Sequence, residues 1–257
     1  MDSIKFVVAP DFAPQRTPCL QIFSTLLSKH TGVSVQQTLT MAPDEVEQAV
    51  KDGVDLVYCN PFLALRLYEE SGYLPVLRPI GNDACDNIAC ITAADGPVKT
   101  LQDIKPGMTC ASPSNIGVKT IAEFMNKGLK LGLTFIDCDN AQQAVQKVVR
   151  GEAETGLILW QTYNDLTGMT KARINVLDHT DLPAMGYPDI KRVLLMKQGD
   201  PEKLEAVMKA IIGFKDNPDA GEMLTNLGVA EGFEAITPEM AEATIANIKK
   251  MAAIANS

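Results

Sequence analysis

The densest group of hydrogen-bonding side chains in the sequence is the run Ser112-Pro113-Ser114-Asn115-Ile116-Gly117, called the serine loop below. The hydroxyl groups of Ser112 and Ser114 precede a predicted helix, whose first N–H groups and dipole favour a negative charge. An oxyanion could accept hydrogen bonds from both hydroxyls and from those N–H groups without any lysine. The alternative is that the loop only caps the helix, which needs a single side chain. We therefore predict an uncharged oxyanion cradle here.

Other polar or aromatic residues also follow predicted strands, where an open parallel sheet places its ligand. Tyr58 and Asn60 follow one strand, Asn140 precedes a helix, and Trp160 and Gln161 follow another strand. Asn60 and Asn140 are equally suited to capping helices, and both aromatic rings are equally suited to half-buried positions in a core. The residues that we expect to contact a ligand are Tyr58, Asn60, Ser112, Ser114, Asn115, Asn140, Trp160 and Gln161.

Strands and helices alternate along the chain as a doubly wound α/β sheet requires. Short apolar runs predict strands at 4–8, 33–39, 54–58, 88–93, 108–111, 133–136 and 155–159. Helices are predicted from the N-cap Thr17, over 43–52, from Asn60, from the serine loop to Gly128 and over 140–149. Residues 49–58 and 148–160 share a helix end, a glycine, an acidic residue and a strand, so we expect the second half to repeat the first.

Composition and charge exclude several classes of protein. The chain has 257 residues and a formal net charge of −9, which argues against nucleic acid as a partner. No apolar run is long enough to cross a membrane. The start, Met1 to Lys5, lacks the pattern of a secretory signal, so either the protein is cytosolic or a leader has been removed.

A catalytic centre finds little support in the sequence. It has no G-x-S-x-G, P-loop, H-E-x-x-H or G-x-G-x-x-G motif, and it has only two histidines. Its six cysteines are too scattered for a disulfide scaffold, although Cys85 and Cys90 are close enough to close a small loop, and no spacing suggests a metal site. Cys59, Cys110 and Cys138 end predicted strands, but simple packing explains them better than a thiol-lined site. We expect no catalytic residue, metal or cofactor.

Several segments together resemble the phosphonate-binding family of periplasmic solute-binding proteins. They are Gly53 to Phe62, Tyr73-Leu74-Pro75-Val76 read as a turn, the serine loop, and Gly151-Glu152-Ala153-Glu154. The resemblance implies an α/β, two-lobed type II periplasmic-binding-protein fold. Each lobe would hold a mixed, mostly parallel sheet flanked by helices, and two crossover strands near 90–93 and 193–196 would join them. Lobe 1 would then comprise 1–92 and 194–257, and lobe 2 would comprise 93–193.

The same resemblance implies a function. It suggests a solute-binding protein of an ABC-type uptake transporter that captures a small phosphonate-, phosphite- or phosphate-like anion by hinge closure and delivers it to a membrane permease. Ser112, Ser114 and Asn115 would hold the oxyanion, with Tyr58 and Asn60 at the matching strand end. A periplasmic monomer whose leader has been removed is implied. The alternatives are a ligand-sensing domain of a signalling receptor and a small-molecule biosynthetic enzyme on the same fold.

Overall fold

The chain folds around two β-sheets that belong to different units. The computed structural model describes residues 3–10, 16–40, 43–81 and 85–257. Unit 1 comprises Met1–Cys85 and Pro188–Ala246, and unit 2 comprises Asp86–Tyr187 and Asn247–Ser257. The divisions after residues 85 and 187 precede the boundaries that we expected after residues 92 and 193, and the end of the chain returns to unit 2.

The elements lie close to the predicted positions. The strands are β1 (Ile4–Val8), β2 (Val35–Leu39), β3 (Leu56–Cys59), β4 (Tyr73–Pro79), β5 (Ile88–Ala93), β6 (Thr109–Pro113), β7 (Thr134–Cys138), β8 (Thr155–Leu159), β9 (Ile174–His179), β10 (Val193–Lys197) and β11 (Phe233–Ala235). The α-helices are α1 (Thr17–Thr31), α2 (Pro43–Lys51), α3 (Pro61–Ser71), α4 (Ile116–Gly128), α5 (Ala141–Val149), α6 (Trp160–Asp165), α7 (Gly168–Lys171), α8 (Pro201–Ile212), α9 (Gly221–Leu227) and α10 (Pro238–Asn256).

In unit 1 the described strands form a sheet in the order β11-β4-β10-β3-β1-β2. Strand β1 is parallel to β2 and β3, whereas β10 is antiparallel to both of its neighbours, β3 and β4. Val193, the first residue of β10, pairs with Cys59, the last residue of β3. The amino end of β10 therefore lies at the edge where β3 ends.

Phe23 on α1 lies at the centre of the unit 1 core. Its ring is 1% exposed and contacts three other phenylalanine rings, with centroid distances of 5.7 Å to Phe6, 5.2 Å to Phe214 and 6.0 Å to Phe233. The helix forms because Pro18 occupies its first turn, and it ends at Gly32, whose φ of 69° suits a glycine. The capping position of α1 is Arg16 and not Thr17 as predicted.

Unit 2 repeats the sheet of unit 1, as the sequence pattern predicted. Its described strands have the order β7-β6-β8-β5-β9, which matches β2-β1-β3-β10-β4. In both units the third parallel strand is followed in the sheet by an antiparallel strand, here β5. Gly53 and Gly151, the glycines of the repeated pattern, both have positive φ angles, 82° and 70°. The internal repeat and the mixed, helix-flanked sheets are therefore confirmed.

The segment from Tyr73 to Val76 is a strand and not the turn that we predicted. Pro75 gives the sequence the look of a turn, because proline cannot donate a hydrogen bond to a neighbouring strand. The sheet accommodates Pro75 opposite Leu195, where the pairing between β4 and β10 shifts register between Leu194 and Leu195. Such irregularities are where proline is tolerated within a sheet.

Because of the phenol of Tyr73, we expect the folded protein to lose stability at alkaline pH. It is 1% exposed and donates to the carbonyl of Val54 at 2.6 Å, and burial, followed by the charge of Asp55, raises its pKa from 10.0 to about 12. The folded state therefore favours the protonated phenol. Its contribution to stability is complete below pH 10 and is lost as the pH rises to about 12.

We expect Tyr73→Phe to lose about 1 to 2 kcal/mol at pH 8, because the Val54 carbonyl loses its donor, and to decline less steeply than wild type above pH 10. Urea unfolding at pH 8, 10 and 11 measures both effects. Tyr68→Phe is the matched control, since the Tyr68 side chain is 42% exposed. An equally steep alkaline decline in wild type and Tyr73→Phe would contradict the assignment.

Candidate functional site

The polar residues predicted in unit 2 meet at one edge of its sheet. Strands β6, β7 and β8 run in the same direction and end there. Strand β5 runs the opposite way and begins there, with Ile88 opposite Leu159. Strand β9 ends at this edge with His179, which pairs with Ala89. This carboxyl edge of unit 2 therefore carries the serine loop, Asn140 and Trp160.

Ser112 has the one feature of this edge that points directly to a ligand. The residue is 2% exposed, and its Oγ atom is buried without a hydrogen-bond partner. A buried hydroxyl without a partner costs roughly 1 to 3 kcal/mol, so proteins seldom retain one without a purpose. An anion at the loop would accept the hydrogen bond that this hydroxyl does not make within the protein.

Asn115, and not either serine, caps helix α4. Its Oδ1 atom accepts from the N–H of Val118 at 2.9 Å. The loop therefore caps the helix, as the alternative interpretation expected, but it does so through Asn115 and without the hydroxyls of Ser112 and Ser114. Ser114 is exposed, and its N–H donates to the carbonyl of Cys138 at 2.9 Å. That bond fastens the serine loop to the end of β7. The N–H groups of Ile116 and Gly117, at the start of α4, have no partner within the helix.

Asn140 and Asn60 are also helix caps. The Oδ1 atom of Asn140 accepts from the N–H of Gln143 at 2.9 Å and begins α5. In unit 1, the Oδ1 atom of Asn60 accepts from the N–H of Leu63 at 2.9 Å and begins α3. Asn140 is exposed, whereas Asn60 is 4% exposed. Each leaves the first turn of its helix at the carboxyl edge of its own sheet.

Trp160 lies in a column of three rings that the sequence did not reveal. Its ring is stacked on Tyr163 with a centroid distance of 5.1 Å and on His179 at 4.6 Å. Two ring contacts within unit 2 therefore hold the indole in place. The Nζ atom of Lys171 lies 5.3 Å from the Tyr163 centroid. Gln161 follows in α6 and is partly exposed.

The aromatic column and the serine loop occupy different positions along the carboxyl edge of unit 2. Trp160 follows β8, the immediate neighbour of β6, whereas His179 ends β9, which is three strands from β6. At about 4.8 Å per strand the latter separation is roughly 14 Å. The strand that precedes Trp160 is therefore nearer to Ser112 than the strand that ends at His179.

In unit 1, Tyr58 lies inside the core. It is 1% exposed, and its ring meets that of Phe233 edge to face at 6.0 Å. The loop at 11–17 follows β1, where the same strand-end rule would also place ligand contacts, but it falls mostly outside the described residues. Arg16, which follows that gap, is 9% exposed, and its Nη1 atom donates to the carbonyl of Asn226 at 2.7 Å.

None of the six cysteines forms a disulfide in the structure, so Cys85 and Cys90 are not joined, and all six are buried. Burial raises the pKa of Cys110 to about 12 and raises that of Cys90 as well. These thiols stay protonated at neutral pH, whereas the reactive form of cysteine is the thiolate. No group of three or more metal-ligating side chains occurs among the described residues.

No helix within the described ranges is both long enough and apolar enough to cross a membrane.

Several solved structures share the fold at low sequence identity. PhnD1 from Prochlorococcus marinus in complex with methylphosphonate is 14% identical, with a TM-score of 0.79 and coverage of 99% of this chain and 98% of that one. A binding-protein component of an ABC phosphonate transporter from Pseudomonas aeruginosa is 11% identical, with a TM-score of 0.76 and coverage of 99% and 97%.

The periplasmic aliphatic sulphonate binding protein of Escherichia coli is 12% identical, with a TM-score of 0.66 and coverage of 97% of this chain and 86% of that one. No curated protein sequence matches the chain. A family model described as the phosphonate periplasmic substrate-binding protein of ABC transporters matches residues 6–241. Proteins of this kind bind small ligands and work with membrane permeases. Because the match covers most of the sequence, the chain belongs to this family of periplasmic solute-binding proteins.

Proposed function

We propose that this protein binds a small tetrahedral oxyanion of the phosphonate or phosphite type at the serine loop and delivers it to a membrane permease. The observation that supports this role is the buried Oγ atom of Ser112, which has no hydrogen-bond partner. A phosphoryl oxygen at that position would accept its proton and those of the first-turn N–H groups of α4.

The donors at the serine loop are uncharged. Lys119, in the following turn of α4, places its Nζ atom 3.2 Å from the carboxylate of Asp137, so its charge is already matched. An anion here is therefore held by hydroxyl and amide dipoles. Methylphosphonate in PhnD1 and the aliphatic sulphonates of the Escherichia coli protein both carry a tetrahedral oxyanion on an organic group, and that shared chemistry supports the ligand class.

The ligand leaves this protein unchanged in our proposal. The protonated thiols of Cys90 and Cys110 are poor nucleophiles, and binding alone satisfies the Ser112 hydroxyl. Capture proceeds by closure of the two units, in which the ligand shifts the population towards the closed state. The mature protein acts as a monomer in the periplasm after removal of a leader.

A thermal-shift experiment with methylphosphonate, phosphite, phosphate, methanesulphonate and acetate tests the ligand class. A ligand at 100 times its Kd adds about 2.7 kcal/mol, which raises the melting temperature of a chain of this size by about 5 to 10 °C. We expect methylphosphonate or phosphite to give the largest shift and acetate, which is planar, to give none. A flat response to every phosphorus compound, or a larger shift with acetate, would contradict the proposal.

A further inference from the structure

The chain returns from unit 2 to unit 1 between Tyr187 and Pro188. Tyr187 is the last residue of this stretch of unit 2, and Pro188 is the first residue of the returning stretch of unit 1. The residues on either side of that point are each held by side chains of their own unit. These two sets of contacts are called the unit 1 anchor and the unit 2 anchor.

The unit 1 anchor is a buried ion-pair network around Arg78. Its Nη1 atom donates to the carboxylate of Asp189, and its Nε atom donates to Glu234 at 2.9 Å. The Arg78 side chain is 10% exposed and that of Asp189 is 21% exposed. The two carboxylates raise the pKa of Arg78, although burial opposes them. A buried guanidinium with two carboxylate partners holds its geometry firmly.

This network joins the two stretches of unit 1 that flank residues 86–187. The carbonyl of Asp189 accepts from the N–H of Lys191 at 3.0 Å, and Lys191 forms an antiparallel bridge with Cys85. The Sγ atom of Cys85 in turn lies 3.6 Å from the carbonyl oxygen of Pro188. The first stretch of unit 1 ends at Cys85 and the second begins at Pro188. These two ends are thus fastened to each other and, through Arg78, to strand β4.

The unit 2 anchor surrounds Tyr187, which is 5% exposed. Its ring meets Phe124 of α4 edge to face at 5.4 Å, and the Nζ atom of Lys250 lies 5.1 Å from the ring centroid. The N–H of Tyr187 donates to the carbonyl of Leu182 at 2.8 Å. Phe124 belongs to the same helix that begins at the serine loop, so the anchor and the candidate oxyanion cradle share α4.

We propose that the two anchors confine the bending of this connection to Pro188, and that Asp189 is a positioning residue for ligand capture that never touches the ligand. The proposal rests on the proposed function, because it requires a ligand that draws the units together. Proline has a fixed φ, so a connection that is held on both sides has few torsions to order on closure. Loosening one anchor frees additional backbone torsions in the unliganded protein. The entropy lost when these torsions become ordered on closure opposes binding.

The test compares Asp189→Asn with the matched control Glu234→Gln. Each substitution removes the charge of one carboxylate that pairs with Arg78, but only Asp189 is next to Pro188, where the chain returns to unit 1. We expect Asp189→Asn to weaken methylphosphonate binding by about three- to tenfold and Glu234→Gln to have little effect on it, while both lose similar thermal stability. Isothermal titration calorimetry measures the binding, and thermal unfolding measures the stability.

Amide hydrogen exchange of the unliganded variants provides a readout that needs no ligand. We expect the N–H of Lys191 to exchange faster in Asp189→Asn than in Glu234→Gln or wild type. If wild type fails to bind methylphosphonate, the proposed ligand class is at fault, and the exchange rates still decide whether the anchor exists. Equal exchange in both variants, or an equal change in affinity in both, would overturn the proposal.

Discussion

Replacing Ser112 with alanine is expected to weaken methylphosphonate binding by about 10- to 100-fold and to leave the unliganded protein at least as stable as wild type. The affinity falls because a ligand oxygen loses its donor in a site from which water is excluded. The stability does not fall because the Ser112 Oγ atom makes no hydrogen bond within the protein, and removing a buried hydroxyl without a partner relieves its desolvation cost. Calorimetric titration and thermal unfolding of the same samples measure both quantities.

Ser24→Ala is the matched control for this substitution. Ser24 is also a buried serine, at 7% exposure, but its Oγ atom donates to the Oε1 atom of Gln37 at 2.6 Å. We expect this variant to lose about 1 kcal/mol of stability and to bind methylphosphonate as wild type does. If Ser112→Ala instead lost stability and kept its affinity, the hydroxyl would be structural and the ligand would bind elsewhere.

Local signals in the sequence located most elements and their caps. Asn60 and Asn140 were predicted to begin helices because a short polar side chain before an apolar stripe can accept a first-turn N–H, and both do so. The strands at 4–8, 88–93 and 155–159 were predicted at their observed bounds, because each is a short run rich in apolar residues. These features depend only on neighbouring residues, which is why a single sequence reveals them.

Features that depend on distant residues could not be predicted in this way. The apolar runs of β5 and β10 do not state the direction in which each strand enters its sheet, and that direction is set by the partner strands. Tyr58 was predicted to line a crevice, but β3 is buried throughout, so its last ring packs against Phe233. Burial on both sides gives no alternating pattern, and the sequence cannot distinguish core from crevice there.

The sequence likewise revealed the Ser112 hydroxyl before a helix, but not that this hydroxyl has no hydrogen-bond partner within the protein. Hydroxyl groups before a helix suggested either a cap or an anion site, and the pattern alone supports both. In the structure Asn115 occupies the capping position, and the Ser112 hydroxyl is left buried without a partner. The absence of an internal partner is a property of packing, and no spacing of residue types encodes it.

Trp160→Ala is expected to lower the free energy of unfolding by about 3 kcal/mol, because it removes the ring on which both Tyr163 and His179 are stacked. Trp160→Phe keeps a flat ring at this position and is expected to lose only about 1 kcal/mol. Chemical unfolding of both variants, followed by circular dichroism because Trp160 is the sole tryptophan, measures the difference.

The same pair of variants separates the structural role of Trp160 from contact with the ligand. Since the indole is stacked on two protein rings, we expect a ligand to approach its edge, where the N–H group is the single donor. We expect Trp160→Phe, which lacks that donor but keeps a ring in the column, to retain wild-type affinity for methylphosphonate. A loss of affinity as large as that expected of Ser112→Ala, without a matching loss of stability, would instead place the indole N–H against the bound anion. Trp160 would then extend the donor set of the serine loop from β6 to its neighbour β8.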